Sequence, residues 1–322
     1  VMMAIKAARA FTGRAKIAKV EGAYHGSYDY AEVSLDSKPK EWGDDNTPSS
    51  IPYAKGTPSS VLSDVITIPF NDPEKAVKLL RLHAGELAAV LIDPVPNRAG
   101  LIPASQQFIT SLVDTAKEIG ALLIFDEVIS FRLCYRGAQS IWNVKPDLTA
   151  LGKIIGGGFP IGAVGGREDV MAVFDPTNGK PALPHGGTFS ANPISMTAGL
   201  VAMQLLDQKS FDHLDDMGSK LRAAINKILI ARNLAGKTVG MGSLIKVHLT
   251  SSDVTDYRSA FQDSETARRL SVFVQGLMNR GVLVASNGLI ALSTPMTNED
   301  IDLIVQAVEG AVDDVLVSMD NI

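Results

Sequence analysis

Short, uniformly apolar runs alternate with amphipathic stretches of helical length through the first two thirds of the chain, and this alternation limits the fold more than any other feature. Strands that are apolar on both faces lie inside a covered sheet, and their alternation with helices is typical of α/β proteins. The pattern predicts strands at residues 16–20, 65–68, 87–92, 121–125, 149–151 and 163–165. It predicts helices near residues 1–13, 73–83, 105–119 and 191–207. We therefore expect an α/β fold with a mostly parallel central sheet covered by helices.

The pattern changes near residue 211, where helices begin to outnumber strands. We predict, in order, a helix, a strand, a helix, hairpin-like runs and a closing helix at residues 214–230, 243–249, 265–280, 282–292 and 298–317. This divides the chain into a large domain over residues 1–210 and a smaller C-terminal α+β domain over residues 211–322. Residues 34–63 are rich in Ser, Pro, Asp and Lys, and we expect a long surface loop there, as a lid or an interface segment.

Composition argues against several classes of function. The 322 residues carry 30 Lys+Arg against 35 Asp+Glu, a net charge of −5, so no positive field is available to hold nucleic acid or anionic lipid. The apolar runs are far shorter than the roughly 18 residues of a membrane span. The one cysteine, Cys134, excludes an intrachain disulfide and a thiolate metal cluster. We expect a cytoplasmic protein with no nucleic-acid, membrane or metal partner.

The first residues form an unusual start. A predicted helix begins at Val1 with no initiator methionine and no capping residue before it, and the pattern of a signal peptide is absent. We therefore expect that further residues precede Val1 in the native protein.

An acid directly follows one of the apolar runs. Asp126 comes after residues 121–125 and is itself followed by Glu127. Ligands of open α/β sheets bind at the carboxyl ends of the strands, so Asp126 is a candidate ligand-binding group. The alternative is that both acids are hydrated carboxylates where a strand ends in solvent.

A lysine bracketed by glycines follows another short predicted strand. Gly152 precedes Lys153 and residues 156–158 are all glycine, which allows a sharp turn and a close backbone approach. A partly desolvated lysine can lose its proton near neutral pH and act as an amine nucleophile. The alternative is an ordinary loop lysine. The glycines match neither a Walker nor a dinucleotide-binding pattern, which argues against a nicotinamide-dependent enzyme.

Asp126 and Lys153 together indicate a specific cofactor. Each follows a predicted strand, and one crossover between the strands would bring both to the same edge of the sheet. Pyridoxal phosphate requires a lysine for its Schiff base and a carboxylate that keeps the pyridine nitrogen protonated. This pair therefore predicts a pyridoxal-phosphate site.

Two further segments fit such a site. Thr188 lies in a glycine-rich turn with hydroxyls just before a predicted helix, where a phosphate could bind, although an ordinary helix start explains the same residues. Tyr24 and His25 lie between glycines after the first predicted strand. Tyr24 could stack on a flat ring, or it could pack into the core.

The chain resembles the class III (subgroup III, fold type I) pyridoxal-phosphate-dependent aminotransferases over essentially its whole length. The segments that carry the resemblance are residues 21–26, 123–128, 147–166 and 186–193. The resemblance implies the PLP-dependent transferase fold of type I with pyridoxal 5'-phosphate as cofactor. It also implies an enzyme, a transaminase that moves an amino group from an amino donor to a keto acceptor by a ping-pong Schiff-base mechanism.

The resemblance implies roles for individual residues. Lys153 would form the Schiff base and move the proton at the substrate Cα, and Asp126 would pair with the pyridine nitrogen. Val128 and Tyr24 would hold the ring from its two faces. Thr188 would reach the phosphate in the neighbouring subunit, so the active unit would be a homodimer with shared active sites.

Other positions extend or depart from the family pattern. His25, next to the stacking tyrosine, is a further candidate near the cofactor. The family carries a Gly/Ser-Thr phosphate cup before the helix that here begins at Val1, in line with missing earlier residues. Asp93 stands where the family usually has a glutamate before proline. Arg98 and Arg132 are candidates for binding a substrate carboxylate, alongside an ordinary surface role.

Two subfamilies fit the sequence. Residues 24–26 and 152–158 are similar to glutamate semialdehyde aminomutase, which exchanges amino and carbonyl positions within one molecule. Residues 126–132, one residue shorter than the aminomutase version, and the compact residues 284–293 look more like β-amino-acid aminotransferases, and we favour these. The alternative from another class is a cofactor-free binding protein of the same fold.

Overall fold

The apolar runs of the first part of the chain form one six-stranded sheet in the computed structural model, which describes residues 1–320. Its strands are β1 (Lys16–Val20), β4 (Val65–Ile68), β5 (Leu87–Ile92), β6 (Leu122–Asp126), β7 (Leu148–Gly152) and β8 (Gly162–Gly166). The order across the sheet is β4-β1-β5-β6-β7-β8, parallel except for β8, which runs antiparallel to β7. The expected mostly parallel α/β sheet is thus confirmed.

Seven α-helices belong to the same described part of the chain, and short polar side chains decide where the longer ones start. They are α1 (Met2–Thr12), α2 (Asp29–Glu32), α3 (Ser59–Ser63), α4 (Pro73–Leu82), α5 (Gln106–Ile119), α6 (Glu168–Met171) and α7 (Pro193–Leu205). The side chains of Asp72, Ser105 and Asn192 cap α4, α5 and α7 by accepting from backbone N–H groups of the first turn. Gly13 ends α1 and Gly120 ends α5, both in the left-handed conformation that glycine favours.

The centre of the sheet is fully covered. All six residues of β5 are buried, as are all five of β6, which explains why these runs are apolar without alternation. The buried face of α1, with Ala4, Ile5 and Ala8, packs into the apolar cluster that includes β5 residues. This packing fixes the carboxyl ends of the central strands, where the chain turns polar.

The segment expected as one long loop, residues 34–63, contains short elements. A two-stranded pair, β2 (Gly43–Asp44) with β3 (Thr47–Pro48), and the helix α3 interrupt otherwise irregular chain. The rest of the segment has little regular structure except one 3₁₀ turn at Pro39–Glu41.

A second compact unit consists of Gly100–Pro103 and the chain from Asp207 onward, whereas Val1–Ala99 and Ala104–Leu206 form the first. Its elements are α8 (Gln208–Ala231), β9 (Lys237–Met241), β10 (Leu244–His248), α9 (Ser264–Asn279), β11 (Leu289–Ala291) and α10 (Asn298–Asp320). The three helices and the antiparallel sheet β11-β10-β9 enclose one apolar core.

One expectation for this unit is wrong, and one of its strands was not expected. Residues 282–292 do not form a hairpin: only β11 is a strand, and it pairs with β10. The other neighbour of β10 is β9, a strand that the sequence did not predict because its Gly240 and half-buried residues weaken the apolar signal.

Within residues 1–320, no helix is both long enough and apolar enough to cross a membrane.

Candidate active site

The acid at the end of β6 is buried and held by two hydrogen bonds. Asp126 is 4% exposed, which rules out the reading of a strand that ends in solvent. Its Oδ1 accepts from the backbone N–H of Val128 at 3.0 Å, and its Oδ2 lies 2.7 Å from Nδ1 of His25. The carboxylate is therefore fixed at the carboxyl edge of the sheet, with lone pairs left for a further donor.

Lys153 follows β7, the neighbour of β6, and has unusual backbone geometry. Its φ is 50°, in the left-handed region that non-glycine residues rarely adopt, and its side chain is exposed. Such strain tends to persist at functional sites. The turn that follows packs closely on α7, because a Cβ on Gly157 would collide with the backbone carbonyl of Ala198.

One cavity of about 290 Å³ contains most of the predicted site. Its lining includes the side chains that the sequence singled out on three different segments: Tyr24, His25, Asp126, Val128 and Lys153. The expected meeting of the β6 acid and the β7 lysine at one place is therefore observed. Tyr24 is 39% exposed and lines the cavity, so the alternative of a tyrosine packed into the core is wrong.

Among the predicted cofactor-binding residues, Thr188 is the one that the structure does not place in this cavity. It lies exposed in the turns before α7, between Gly187 and Phe189. The following residue, Phe189, and the adjacent Gly187 line a separate and larger hollow beside α7. Thr188 therefore does not contribute to the cavity of its own chain, and its role in a neighbouring subunit stays a prediction.

His25 is buried and has one nitrogen engaged. Burial lowers the pKa of its imidazole, against the opposing effect of the Asp126 contact, and the charge of Lys19 lowers it further. A neutral His25 donates from Nδ1 to the carboxylate. Its Nε2 is buried and has no hydrogen-bond partner within residues 1–320. The ring is therefore oriented by Asp126 and holds an unused acceptor in the cavity wall.

Two buried acids near Asp126 were not predicted as site residues. Asp93, at the end of β5, also lines the cavity; burial and the nearby charge of Asp126 raise its pKa well above the usual carboxyl range. Its position after a uniformly apolar run was a signal that could have identified it. Glu127 is fully buried and accepts from the backbone N–H groups of Ala138 and Gln139 at 2.6 and 3.0 Å, so it holds the next loop in place.

The residues present fit the pyridoxal phosphate that the resemblance implies. A flat ring needs an acceptor for its nitrogen, apolar contacts on its faces and an amine near its aldehyde. The cavity offers Asp126, whose buried carboxylate is already oriented, together with Val128, Tyr24 and Lys153. Its volume lies near the lower end of the ~300–1,000 Å³ common for small-molecule sites. Lys153 would bind the cofactor, which supplies the electron-accepting ring.

Comparison with known proteins agrees with this geometry. The fold is similar to that of an omega-transaminase from Sphaerobacter thermophilus, with a TM-score of 0.95 and 48% identity over 98% of this chain and 72% of the other. A beta-phenylalanine aminotransferase from Variovorax paradoxus has a TM-score of 0.80 and 34% identity, covering 96% of this chain and 66% of its own.

A curated relative carries a different activity. A glutamate-1-semialdehyde 2,1-aminomutase of Bacillus velezensis is 35% identical over 311 residues, which is 96% of this chain and 70% of the relative. The chain thus spans about two thirds to three quarters of the length of these proteins.

The model of the family "Aminotransferase class-III" matches residues 1–312, nearly the whole chain. Together with the transaminase neighbours, one of them solved with pyridoxal phosphate bound, this match establishes the family. The chain belongs to the class III aminotransferases, a pyridoxal-phosphate-dependent family.

Proposed function

We propose that this protein transfers an amino group from an amino acid, with β-amino acids as the favoured donors, to a keto acid. The observation that carries the proposal is the presence of Asp126 and Lys153 in the wall of one cavity. The names of two similar structures, an omega-transaminase and a beta-phenylalanine aminotransferase, support donors whose amino group lies beyond the α position.

Each residue has a distinct task in this proposal. When bound, the cofactor would supply a ring that accepts electrons from the donor carbon bearing the amino group. Asp126 would hold the proton on the ring nitrogen, and His25 keeps the Asp126 carboxylate oriented through the 2.7 Å contact. Lys153 would hold the cofactor through its amine and would serve as the base that moves the proton at the donor carbon bearing the amino group. Val128 and Tyr24 would contact the two faces of the ring.

The active unit in this proposal is a homodimer. The solvent side of α7 is strongly apolar, with Ile194, Leu200 and Leu205 each more than half exposed, and Phe189 just before the helix is 81% exposed. An apolar face of this kind is usually covered by a partner. A second copy seated there would support a role for Thr188 at the partner's cofactor phosphate. The single cysteine favours a reducing, cytoplasmic setting.

The direct experiment is visible absorbance of the purified protein after incubation with pyridoxal phosphate. We expect a cofactor band in the wild-type protein, its loss in Lys153→Ala, and its retention in Lys145→Ala. Lys145 is an exposed lysine that precedes β7, at the opposite end of that strand from Lys153. A protein that stays colourless contradicts the proposal. A cofactor-free binding protein predicts no difference among the three proteins.

The second candidate is an aminomutase, favoured by the 35% identity to the Bacillus velezensis enzyme over 96% of the chain. A donor screen separates the two. Amination of an added keto acid by β-phenylalanine supports the aminotransferase. Rearrangement of glutamate semialdehyde without an added acceptor supports the aminomutase.

A further inference from the structure

A lysine is fully buried in the central sheet. Lys19 of β1 is 0% exposed and pairs in register with Thr67 of β4 and Leu91 of β5. Its Nζ donates to the carbonyl of Val20 at 3.1 Å and to the carbonyl of Val33 at 2.7 Å. Burial of an amine is costly unless hydrogen bonds of this kind replace those to water. The two carbonyls are therefore the contacts that define the task of Lys19.

These two carbonyls belong to the two ends of one loop. Val20 is the last residue of β1 and Val33 directly follows α2, so residues 21–32 form the loop between them. We call the place where Val20 and Val33 come together the neck of this loop. The backbone N–H of Gly22 donates to the carbonyl of Ser34 at 2.8 Å and joins the same two ends. The neck is thus closed once through the backbone and once through the side chain of Lys19.

The same loop carries two residues of the candidate site. Tyr24 and His25 line the cavity, and Nδ1 of His25 lies 2.7 Å from Oδ2 of Asp126. Burial is the main cause that lowers the pKa of His25, and the charge of Lys19 adds to it against the opposing effect of Asp126. The amine of Lys19 is therefore near enough to His25 to interact with it, although Lys19 does not line the cavity.

Both protonation states of Lys19 can hold the neck. Burial lowers the pKa of its amine to about 7, against the opposing charge of Glu21. The ammonium has three N–H donors and the neutral amine has two, which is enough for the two carbonyls. We therefore expect the neck to stay closed across neutral pH.

Stability alone does not explain a lysine at this position. The other fully buried residues of β1, Ile17, Ala18 and Val20, are apolar. Replacement of a buried charged group by an apolar side chain of similar volume is often neutral or stabilising. A methionine at position 19 would fill the same space, but the neck would lose its side-chain link.

We propose that Lys19 is a positioning residue of the active site: it holds the neck closed and so keeps Tyr24 at the cavity and His25 on the Asp126 carboxylate. It acts through the loop and does not touch the cofactor space. The inference rests on the proposed function, because it assigns a further residue to the same site. A ring-contacting tyrosine that is already in place needs less ordering when a ligand binds.

The experiment compares Lys19→Met with the wild-type protein and with Ile17→Ala. The control removes buried volume two residues earlier on the same face of β1 and leaves both carbonyl contacts of Lys19 intact. Absorbance titration with pyridoxal phosphate, well below the unfolding midpoint of each protein, measures cofactor affinity. We expect Kd to rise by about tenfold in Lys19→Met, because Tyr24 then has to be ordered on binding. We expect a change of less than about twofold in Ile17→Ala.

A second readout does not need the cofactor. The Nδ1–H of His25 is buried and bonded to Asp126, so it should give a downfield proton NMR signal that is absent in His25→Gln. We expect this signal in the wild-type protein and in Ile17→Ala, and its loss through exchange with water in Lys19→Met. Lys19→Gln keeps an N–H donor near the neck and should recover part of the signal and of the affinity.

An unchanged cofactor affinity or an unchanged His25 signal in Lys19→Met overturns the proposal. Equal changes in Lys19→Met and Ile17→Ala overturn it as well, because Lys19 then only supports the core. If Lys19→Met does not fold, Lys19→Gln decides with the same two readouts: values below wild type support the proposal, and unchanged values overturn it. Absence of a cofactor band in the wild-type protein counts against the proposed function alone, and the His25 signal still decides whether Lys19 holds the loop.

Discussion

Each compact unit buries a histidine, and the two histidines differ in what they leave open. In the first unit, His25 contacts the Asp126 carboxylate through Nδ1 and has an unpartnered Nε2 in the cavity wall. In the second unit, His248 of β10 is 2% exposed and its Nε2 donates to the carbonyl of Gly100 at 2.9 Å, within an apolar core. His25 keeps one ring nitrogen without a partner within residues 1–320, whereas the hydrogen bond of His248 is made within its own unit.

The charged groups around the two histidines also differ. Asp93 and Asp126 are buried close enough for each charge to act on the other, an arrangement that is costly for stability and common at functional sites. The charged groups that act on His248 are Lys246 and Lys237, and its main stabilising contact is to a backbone carbonyl. Burial alone therefore does not mark a functional site, whereas two acids that repel each other and the unpartnered Nε2 of His25 occur together at the candidate site.

The largest expected effect is at Lys153. Lys153→Ala removes the amine that binds the cofactor and moves the proton, so kcat should fall by about 10⁴-fold in a transamination assay. Thermal unfolding of the cofactor-free protein should change little, because the side chain is exposed. Near wild-type turnover in Lys153→Ala would contradict the assignment of the active site to the first unit. Lys145→Ala is the matched control.

Asp126→Asn comes next. The amide cannot stabilise a protonated ring nitrogen as a carboxylate does, and it also weakens the contact to His25, so kcat should fall by about 10²–10³-fold. Steady-state kinetics measures the effect. Asp114→Asn, which changes an exposed acid of α5, should leave kcat unchanged. If both variants keep full activity, the buried acid is structural and the contrast between the two units is lost.

His248 should contribute a pH dependence of stability rather than of activity. Burial lowers the pKa of His248 from 6.5 to about 4. Between these two pH values, His248 is protonated in the unfolded chain and neutral in the folded protein. The contribution of His248 to the free energy of unfolding is therefore present above pH 6.5. It is lost as the pH falls toward 4, and the total loss is about 3 kcal/mol.

Denaturant unfolding at several pH values tests this sign. His248→Gln should show a flatter decline between pH 6.5 and 4 than the wild-type protein, whereas His185→Gln, at an exposed histidine, should follow the wild type. If the free energy of unfolding of His248→Gln declines as steeply as that of the wild-type protein, groups other than His248 cause the pH dependence.

The smallest expected effect is at a helix cap of the second unit. The Asp263 side chain accepts from the backbone N–H of Thr266 at 2.8 Å at the start of α9. Asp263→Ala should lower the free energy of unfolding by about 1 kcal/mol. Absorbance titration should show unchanged affinity for pyridoxal phosphate, because the first unit carries the site. A weaker cofactor affinity would contradict that assignment.

Much of the fold was predictable from local patterns. The strands β1, β4 and β5 fall at the predicted residues, and the ends of α4 and α5 follow from their caps. The antiparallel direction of β8 and the existence of β9 were not predictable, because each depends on a pairing partner that the local sequence does not name.

The candidate site was likewise predictable only in part. Asp126 and Lys153 could be paired from their positions after two successive strands, since parallel strands share an edge. The contact between His25 and Asp126 joins residues far apart in the chain and emerges only from the packing of β1 and β6 on either side of β5. Asp93 had the same local signal as Asp126, but its raised pKa depends on the distance between the two acids.

Reductive trapping of the cofactor identifies the lysine to which it binds. The protein is incubated with pyridoxal phosphate, reduced with borohydride and digested, and the modified peptide is identified by mass spectrometry. We expect a stoichiometric phosphopyridoxyl group on Lys153 and on no other lysine. A group found mainly on another lysine, such as the buried Lys19, or no modification at all, would contradict it.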